Sequence, residues 1–200
     1  MRNRWIQLVL GVVCMVTISS PQYVWALFTQ PLTAALGANL AAIQVTFSIL
    51  IVVQTFLSPP QGFLVDRFGP RVLLSGGALL TGLSWVLAAQ ATSLTGLYLT
   101  YGLLGGIGTG IIYVGVVGHV VRWFPEKRGL ATGLVAAGYG FGAILTTFPI
   151  ARVIGISGFT QTRKRFQCQK PPAWAWTISL RFMVPVIMII VMTTSSIGIS

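Results

Sequence analysis

Residues 62–71 read Gly62-Phe63-Leu64-Val65-Asp66-Arg67-Phe68-Gly69-Pro70-Arg71, and they form a short charged segment between two long apolar ones. Gly69 and Pro70 together predict a tight turn at this point. Asp66 is one of only two acidic residues in the chain. Because this acid stands at the end of an apolar segment and is followed by Arg67 and Arg71, the stretch predicts a compact charged latch between two helices.

Five apolar segments, each about 20–26 residues long, surround this turn. They are 5–28, 41–65, 72–91, 96–121 and 130–150. Helices of that length are long enough to cross a hydrocarbon core of roughly 30 Å at 1.5 Å per residue. The mean hydropathy is +0.84, and only 8% of the residues are charged. No water-soluble core needs five such segments in succession, so the sequence predicts an all-α, polytopic transmembrane helical bundle.

Basic residues border these segments in strict alternation. They are Arg2 and Arg4 before the first segment, Arg67 and Arg71 after the second, and Arg122, Lys127 and Arg128 after the fourth. The connections 29–40 and 92–95 carry no charge at all. Since short cytoplasmic loops hold an excess of Lys and Arg, we expect a multi-pass protein of the cell (inner) membrane with a cytoplasmic N-terminus.

Several classes of function are disfavoured by the same composition. The net charge of +11 does not indicate nucleic-acid binding, because the cations are spread over short loops beside apolar segments. Contacts with the headgroups of the lipid bilayer explain them better. Cys14 and Cys168 are too few for a metal site, and we expect no cofactor. A multi-pass membrane enzyme is the weaker alternative, because no Asp or Glu lies within an apolar segment.

Three segments together resemble a known family. The turn 62–71 resembles the signature between helices 2 and 3 of the major facilitator superfamily of secondary transporters. The first apolar segment contains Ser19-Ser20-Pro21-Gln22-Tyr23-Val24-Trp25, and the fourth loop reads Arg122-Trp123-Phe124-Pro125-Glu126-Lys127-Arg128-Gly129. With these, residues 4–158 are similar to the oxalate/formate antiporter branch, which includes monocarboxylate carriers. The resemblance implies the N-terminal six-helix half of a major facilitator fold, with five helices assigned and the sixth left open.

The resemblance also implies a function and a substrate path. The function is secondary active transport of small organic anions, as oxalate/formate antiport or monocarboxylate transport, by alternating access. The implied path residues on helices 1, 2, 4 and 5 are Gln22, Tyr23, Gln44, Tyr113 and Tyr139. Their amide and phenol groups donate hydrogen bonds to carboxylate oxygens without carrying charge. An interhelical hydrogen bond or an interfacial aromatic remains the alternative for each, and we expect Pro21 to break helix 1 beside them.

The charged turn is interpreted as a device of conformational control. The residues assigned to this latch are Gly62, Asp66, Arg67, Gly69 and Arg71 in the turn, and Arg128 in the fourth loop. By the resemblance, this loop bridges to the other half of a transporter. Within this chain, Asp66 has two candidate basic partners, Arg122 and Arg128. His119, three residues before Arg122, is interpreted as an interfacial anchor, with a proton relay as the alternative.

Glycines recur every four residues in the fourth and fifth apolar segments. They are Gly102, Gly106 and Gly110 in the fourth, and Gly138 and Gly142 in the fifth. Small residues at this spacing let helices approach closely in lipid, where packing holds them together. We therefore expect both sets at helix–helix contacts.

The chain changes character near residue 159. We assign 1–158 to the transporter half, and 159–200 to a basic loop with an aberrant or truncated apolar tail. Basic residues between 159 and 172 contradict the charge rule for an outer loop, which suggests a truncated or frame-shifted end. The alternative function is then an inactive fragment or a membrane assembly module. No Lys or Arg lies inside the helices before Arg152, so a small carboxylate would need charge from a second half or a homodimer.

Overall fold

Helices joined by short turns make up the part of the chain that the computed structural model describes, residues 4–91 and 93–145. They are α1 (Arg4–Leu36), α2 (Leu40–Phe56), α3 (Ser58–Phe68), α4 (Pro70–Gln90), α5 (Leu94–Leu97), a π-helical segment (Tyr98–Leu104), α6 (Gly105–Trp123) and α7 (Arg128–Leu145). No strand occurs within these residues. The all-α prediction is confirmed, whereas the proposed boundary at 158 and the tail 159–200 lie outside the described residues.

Several of these helices are long and apolar enough to cross a membrane. Three pass by length and hydropathy, namely Pro70–Ala88, Leu94–Trp123 and Arg128–Leu145. The consecutive helices α2 and α3 meet the same length and hydropathy criteria when they are taken together. If this bent pair is a single crossing, it is a fourth membrane span. The apolar stretch of α1, Arg4–Ser19, is shorter than these spans. The structure therefore supports a multi-pass membrane protein.

The second predicted segment is bent by 53° between α2 and α3. Pro59 and Pro60 follow the bend and lack the backbone N–H groups that would continue the helical ladder. Leu57 N still donates to Val53 O at 3.0 Å, and Gln61 N donates to Leu57 O at 2.9 Å, so the chain resumes a helix at once. Proline at the first turn of α3 is well tolerated, because those N–H groups have no partner within the helix.

Helix α1 runs without interruption from Arg4 to Leu36 and includes Pro21. The expectation that Pro21 breaks the first helix is therefore wrong. A proline removes only one ladder hydrogen bond, and neighbouring helices and side chains compensate for this loss in membrane helices. Gln22 and Tyr23 thus lie on a continuous helix.

The described charged side chains gather at one end of the bundle. Trp5 packs against Phe124, and Asp66 pairs with Arg122, so the start of α1 lies beside the ends of α3 and α6. We call this the basic end; its cations are Arg4, Arg67, Arg71, Arg122, Lys127 and Arg128. The opposite end, which we call the uncharged end, contains the turn 37–39, Ala91 directly after α4, and Ser93 before α5.

Two hydrophobic cores occupy the two halves of the bundle. The core nearer the basic end joins α1, α4, α6 and α7 through buried residues such as Leu8, Ile112 and Val135. The core nearer the uncharged end joins α1, α2 and the span containing the π segment, through Trp25, Ile43 and other buried residues. Four of the five predicted path residues lie away from the helix ends, whereas Gln44 lies near the start of α2.

Candidate functional site

Three of the predicted path residues form one group of aromatic rings. Tyr139 of α7 contacts Tyr113 of α6 edge to face, with ring centroids 5.7 Å apart, and Tyr23 of α1 at 6.1 Å. Both separations lie within the usual range for interacting aromatic pairs. Tyr23 is 44% exposed, whereas Tyr113 and Tyr139 are half-buried and pack against the core of the basic end. Three phenols from three helices therefore meet at one place.

Gln22 places a hydrogen-bonded amide pair next to this group. Its Nε2 donates to Oε1 of Gln54 on α2 at 3.0 Å, which joins α1 to the residues just before the bend. The interhelical hydrogen bond that the sequence left open for Gln22 is therefore present. Gln54 is not one of the five assigned path residues, although the sequence shows it as a further amide in the same apolar segment as Gln44.

Gln44 does not join the other four predicted path residues. Its side chain is exposed on α2 and has no hydrogen bond to the described residues. It lies ten residues before Gln54, about 15 Å along a helix axis. Its role in a substrate path stays a prediction.

The tyrosine group and the amide pair offer hydrogen bonds but no charge. Between Trp5 and Val65 the sequence has no charged residue, and the same holds for 129–145. Phenol and amide groups both donate and accept, so they can bind carboxylate oxygens or water. Among the described residues, no group of three or more His, Cys, Asp or Glu side chains is placed to hold a metal ion.

At the basic end, Asp66 pairs with Arg122 rather than with Arg128. Nη2 of Arg122 donates to Oδ1 of Asp66, and the two side chains are 57% and 66% exposed, respectively. Arg128, at the start of α7, has no ion pair within the described part of the chain. The contact arises because α3 and α6 pack together, which brings their last turns side by side.

The other residues of the predicted latch lie around this pair. Gly69 adopts a φ of +83°, a conformation that side chains with a Cβ rarely adopt, and so permits the turn into α4. The guanidinium of Arg67 lies 5.7 Å from the centroid of the Phe68 ring. Arg71 is exposed, and a Cβ added to Gly62 would make only an ordinary contact with Val114.

The glycines of the fourth span face the second span closely. A Cβ added to Gly106 would lie 2.8 Å from the backbone oxygen of Leu50, and one added to Gly110 would lie 2.6 Å from Oε1 of Gln61. At Gly102 the nearest atom would be Cγ2 of Ile49 at 3.0 Å.

In the fifth span, a Cβ on Gly138 would lie 2.8 Å from Cγ1 of Val12 on α1, and one on Gly142 would collide with Val16 and Ser19. All five predicted packing glycines therefore lie at close helix–helix contacts, where an added Cβ would require a neighbouring atom to move.

A second glycine face was missed by sequence reasoning. A Cβ on Gly108 would lie 2.8 Å from the backbone nitrogen of Thr81, and one on Gly77 would lie 2.9 Å from Cγ1 of Ile112. These residues seat α6 against α4. The four-residue spacing did not reveal them, because each helix contributes one glycine to the contact.

Two buried amides were also missed. Gln7 of α1 contacts the ring of His119 on α6, with Oε1 and Nε2 at 3.3 Å. Nε2 of Gln61 donates to the backbone oxygen of Ile107 at 3.3 Å. His119 also lies 6.1 Å from the ring of Trp123. The histidine thus contacts α1 and the last turn of its own helix, and its role as an interfacial anchor or a proton relay stays a prediction.

A helical bundle with charges at one end, close glycine contacts and uncharged polar groups between its spans is the architecture of a polytopic membrane protein. The sequence model of the Major Facilitator Superfamily matches residues 8–197, and the chain belongs to this superfamily. The chain therefore comes from a superfamily of membrane transporters rather than from an enzyme family. This match extends past residue 158 and gives no boundary at that position. The domain boundary expected there therefore stays a prediction.

Individual relatives share the same N-terminal region. The chain is 42% identical over 157 residues to the oxalate:formate antiporter of Oxalobacter formigenes, covering 78% of this chain and 37% of that protein. It is 39% identical over 116 residues to monocarboxylate transporter 13 of Bos taurus, covering 58% and 27%. The chain thus spans less than half the length of these relatives.

The fold also matches a solved transporter. The inward-open structure of the xylose transporter XylE from E. coli superposes with a TM-score of 0.78, over 99% of this chain and 49% of that one. The sequence identity is 14%, so this match concerns the fold alone. It agrees with the expectation of one half of a major facilitator fold.

Proposed function

We propose that this chain takes part in secondary transport of small organic anions by alternating access, as oxalate/formate-type antiport or as monocarboxylate transport. The observation that carries the proposal is the meeting of Tyr23, Tyr113 and Tyr139 beside the Gln22–Gln54 amide pair. These groups supply several hydrogen-bond donors from four helices at mid-span. The 42% identity to an oxalate:formate antiporter supports a carboxylate as substrate.

In this proposal, the positive charge that compensates a carboxylate substrate does not come from the tyrosine group or the amide pair. An anion in a low-dielectric cavity is costly without a compensating cation, and the described spans hold no Lys or Arg near the tyrosine group. We place the compensating cation on a second bundle, either another half or a second copy of this chain. The tyrosine group would then orient the substrate and leave its neutralisation to that partner.

Uptake by proteoliposomes tests the substrate class. The protein is reconstituted into vesicles loaded with formate, and uptake of radiolabelled oxalate, formate and lactate is followed. Exchange of at least one of these carboxylates is expected. If folded protein takes up none of them above empty vesicles, neither alone nor when reconstituted together with a separate C-terminal half of a related transporter, the proposed function is wrong.

Removing single phenol groups tests the site. Tyr139→Phe keeps the ring contacts and removes only the hydroxyl, so we expect uptake to fall by about tenfold, the effect of one lost hydrogen bond to a charged group. Phe141→Leu on the same helix is the matched control, because Phe141 is exposed and lies outside the group. Equal uptake by Tyr139→Phe and the control would remove Tyr139 from the path.

A further inference from the structure

The π segment Tyr98–Leu104 interrupts the otherwise α-helical span Leu94–Trp123 near the uncharged end. Such π-helical turns are rare, occur mostly inside α-helices, and are frequent at functional sites. Within the segment, the buried ring of Tyr101 stacks on Trp25 of α1, with centroids 4.3 Å apart, and meets Trp85 of α4 edge on at 5.5 Å. The irregular segment therefore lies inside an aromatic cluster that joins three helices.

The first residue of the segment forms a hydrogen bond to a backbone carbonyl of α2. The hydroxyl of Tyr98 donates to the backbone oxygen of Ala42 at 2.7 Å. That oxygen already serves the helical ladder of α2, so both of its lone pairs are occupied.

Thr46, four residues after Ala42, is left without a partner by this arrangement. A threonine inside a helix usually donates to the carbonyl four residues before it. Thr81 does so to Gly77 at 2.8 Å, and Thr109 to Gly105 at 2.8 Å. The side chain of Thr46 is fully buried, and Oγ1 has no hydrogen-bond partner among the described residues. Tyr98 therefore occupies the acceptor that Thr46 would otherwise use.

The helices on the two sides of the π segment differ in how they pack against their neighbours. On the α6 side, Gly106 and Gly108 pack so closely on Leu50 and Thr81 that a single Cβ would collide with backbone atoms. On the other side, α5 is only four residues long. A change of register in the segment would therefore turn α5 and Tyr98, while α6 stays in place.

We propose that Tyr98–Leu104 is a register switch between the observed π-helical state and an α-helical state. In the α state each carbonyl binds the N–H one residue earlier, and the residues before the segment turn by about 100° relative to α6. Tyr98 then leaves Ala42, and Thr46 takes that carbonyl. The two states exchange one hydrogen bond for another at the same acceptor, so neither is strongly favoured by it.

The observed π state leaves buried donors without hydrogen-bond partners among the described residues. Besides Thr46, the indole Nε1 of Trp25 is buried without a hydrogen-bond partner among the described residues. Buried donors without partners are costly. This switch goes beyond the proposed function, because it concerns the chain without any substrate bound.

Two substitutions should move the switch in opposite directions. Thr46→Val removes the donor that the α state needs, so it favours the π state. Tyr98→Phe removes the donor that holds the π state, so it favours the α state. Each change should alter the ratio of the two states by about fivefold, as expected for one net hydrogen bond. Thr132→Val on α7 is the matched control, since Thr132 bonds Arg128 O at 2.9 Å, far from the segment.

Fluorine NMR of the full chain in detergent measures the ratio without substrate. A trifluoromethyl tag is attached to Leu99→Cys, a position that is exposed within the segment, after Cys14 and Cys168 are replaced by alanine. Deletion of Leu103 removes the extra residue of the π segment and supplies the reference spectrum of the α state. The proposal predicts opposite changes for Thr46→Val and Tyr98→Phe, and no change for Thr132→Val. Changes in the same direction, or one unchanged spectrum in all variants, would overturn it.

Discussion

The Asp66–Arg122 pair joins the end of α3 to the end of α6 while both side chains stay more than half exposed. Exposed ion pairs contribute only about 0–1 kcal/mol to stability. The pair is therefore better suited to fix how two helix ends lie relative to each other than to hold the bundle together. This fits the interpretation of the turn as a device of conformational control, which stays a proposal.

An exchange of charges tests which arginine is the partner. Asp66→Arg alone places two guanidinium groups together, and we expect the apparent melting temperature in detergent to fall by roughly 1–4 °C. Adding Arg122→Asp should restore it, because the pair forms again with the charges exchanged. Arg128→Asp in the Asp66→Arg background is the matched control and should not restore it. Equal recovery with Arg128→Asp would show that the two arginines are interchangeable.

At the scale of the elements, α6 is held by glycine contacts on two of its faces. Gly106 lies against α2 and Gly108 against α4. In lipid, helices associate through close packing and hydrogen bonds, because burial of apolar surface gives little advantage there. The span of α6 is thus the central helix of the described bundle, and small changes on either glycine face should loosen it.

Two alanine substitutions within α6 separate packing from helix propensity. Gly106→Ala should destabilise the protein by about 1–3 kcal/mol, since the added methyl group meets the backbone of α2. Gly118→Ala is the matched control, because no atom lies within 4 Å of its Cβ position. It should be neutral or stabilise by up to about 1 kcal/mol. Thermal unfolding followed by size-exclusion chromatography measures both, and equal losses of stability would contradict the packing interpretation.

Hydropathy predicted the helical elements well but not their details. All five apolar segments lie in helices as far as the structure describes them, because a span must be long and apolar wherever it lies in the bundle. The bend after Phe56 was missed although Pro59 and Pro60 marked it. The π segment carried no such signal, because the hydrogen bond of Tyr98 to Ala42 depends on how two spans meet.

In the candidate site, too, the sequence identifies the polar residues, whereas the packing of the helices decides which of them lie together. The resemblance selected Tyr23, Tyr113 and Tyr139, which the structure brings together, but it also selected Gln44, which lies apart. Polar residues in an apolar span are easy to find, whereas the face on which each one lies depends on the neighbouring helices. For the same reason the burial of Gln7 and Gln61 was not foreseen.

At the scale of the whole molecule, the distribution of charge is strongly asymmetric. The basic end holds all six described cations and both acidic residues, while the described residues of the uncharged end carry no charge. Loops with an excess of Lys and Arg remain in the cytoplasm, and anionic headgroups of the inner leaflet attract them further. We therefore propose that the basic end, and with it the N-terminus, lies in the cytoplasm of a cell whose inner membrane holds the protein.

Labelling of single cysteines from outside the cell tests this orientation. In a chain with Cys14 and Cys168 replaced by alanine, Asn39→Cys lies in an exposed turn of the uncharged end, and Lys127→Cys lies in an exposed turn of the basic end. A membrane-impermeant maleimide should label Asn39→Cys in intact cells, and should label Lys127→Cys only after the membrane is opened. Arg67→Cys is the second probe of the basic end and should behave like Lys127→Cys, because α3 and α6 end side by side. If Arg67→Cys and Lys127→Cys are labelled from opposite faces of the membrane, then the shared basic end does not exist, and the bundle cannot have the arrangement described.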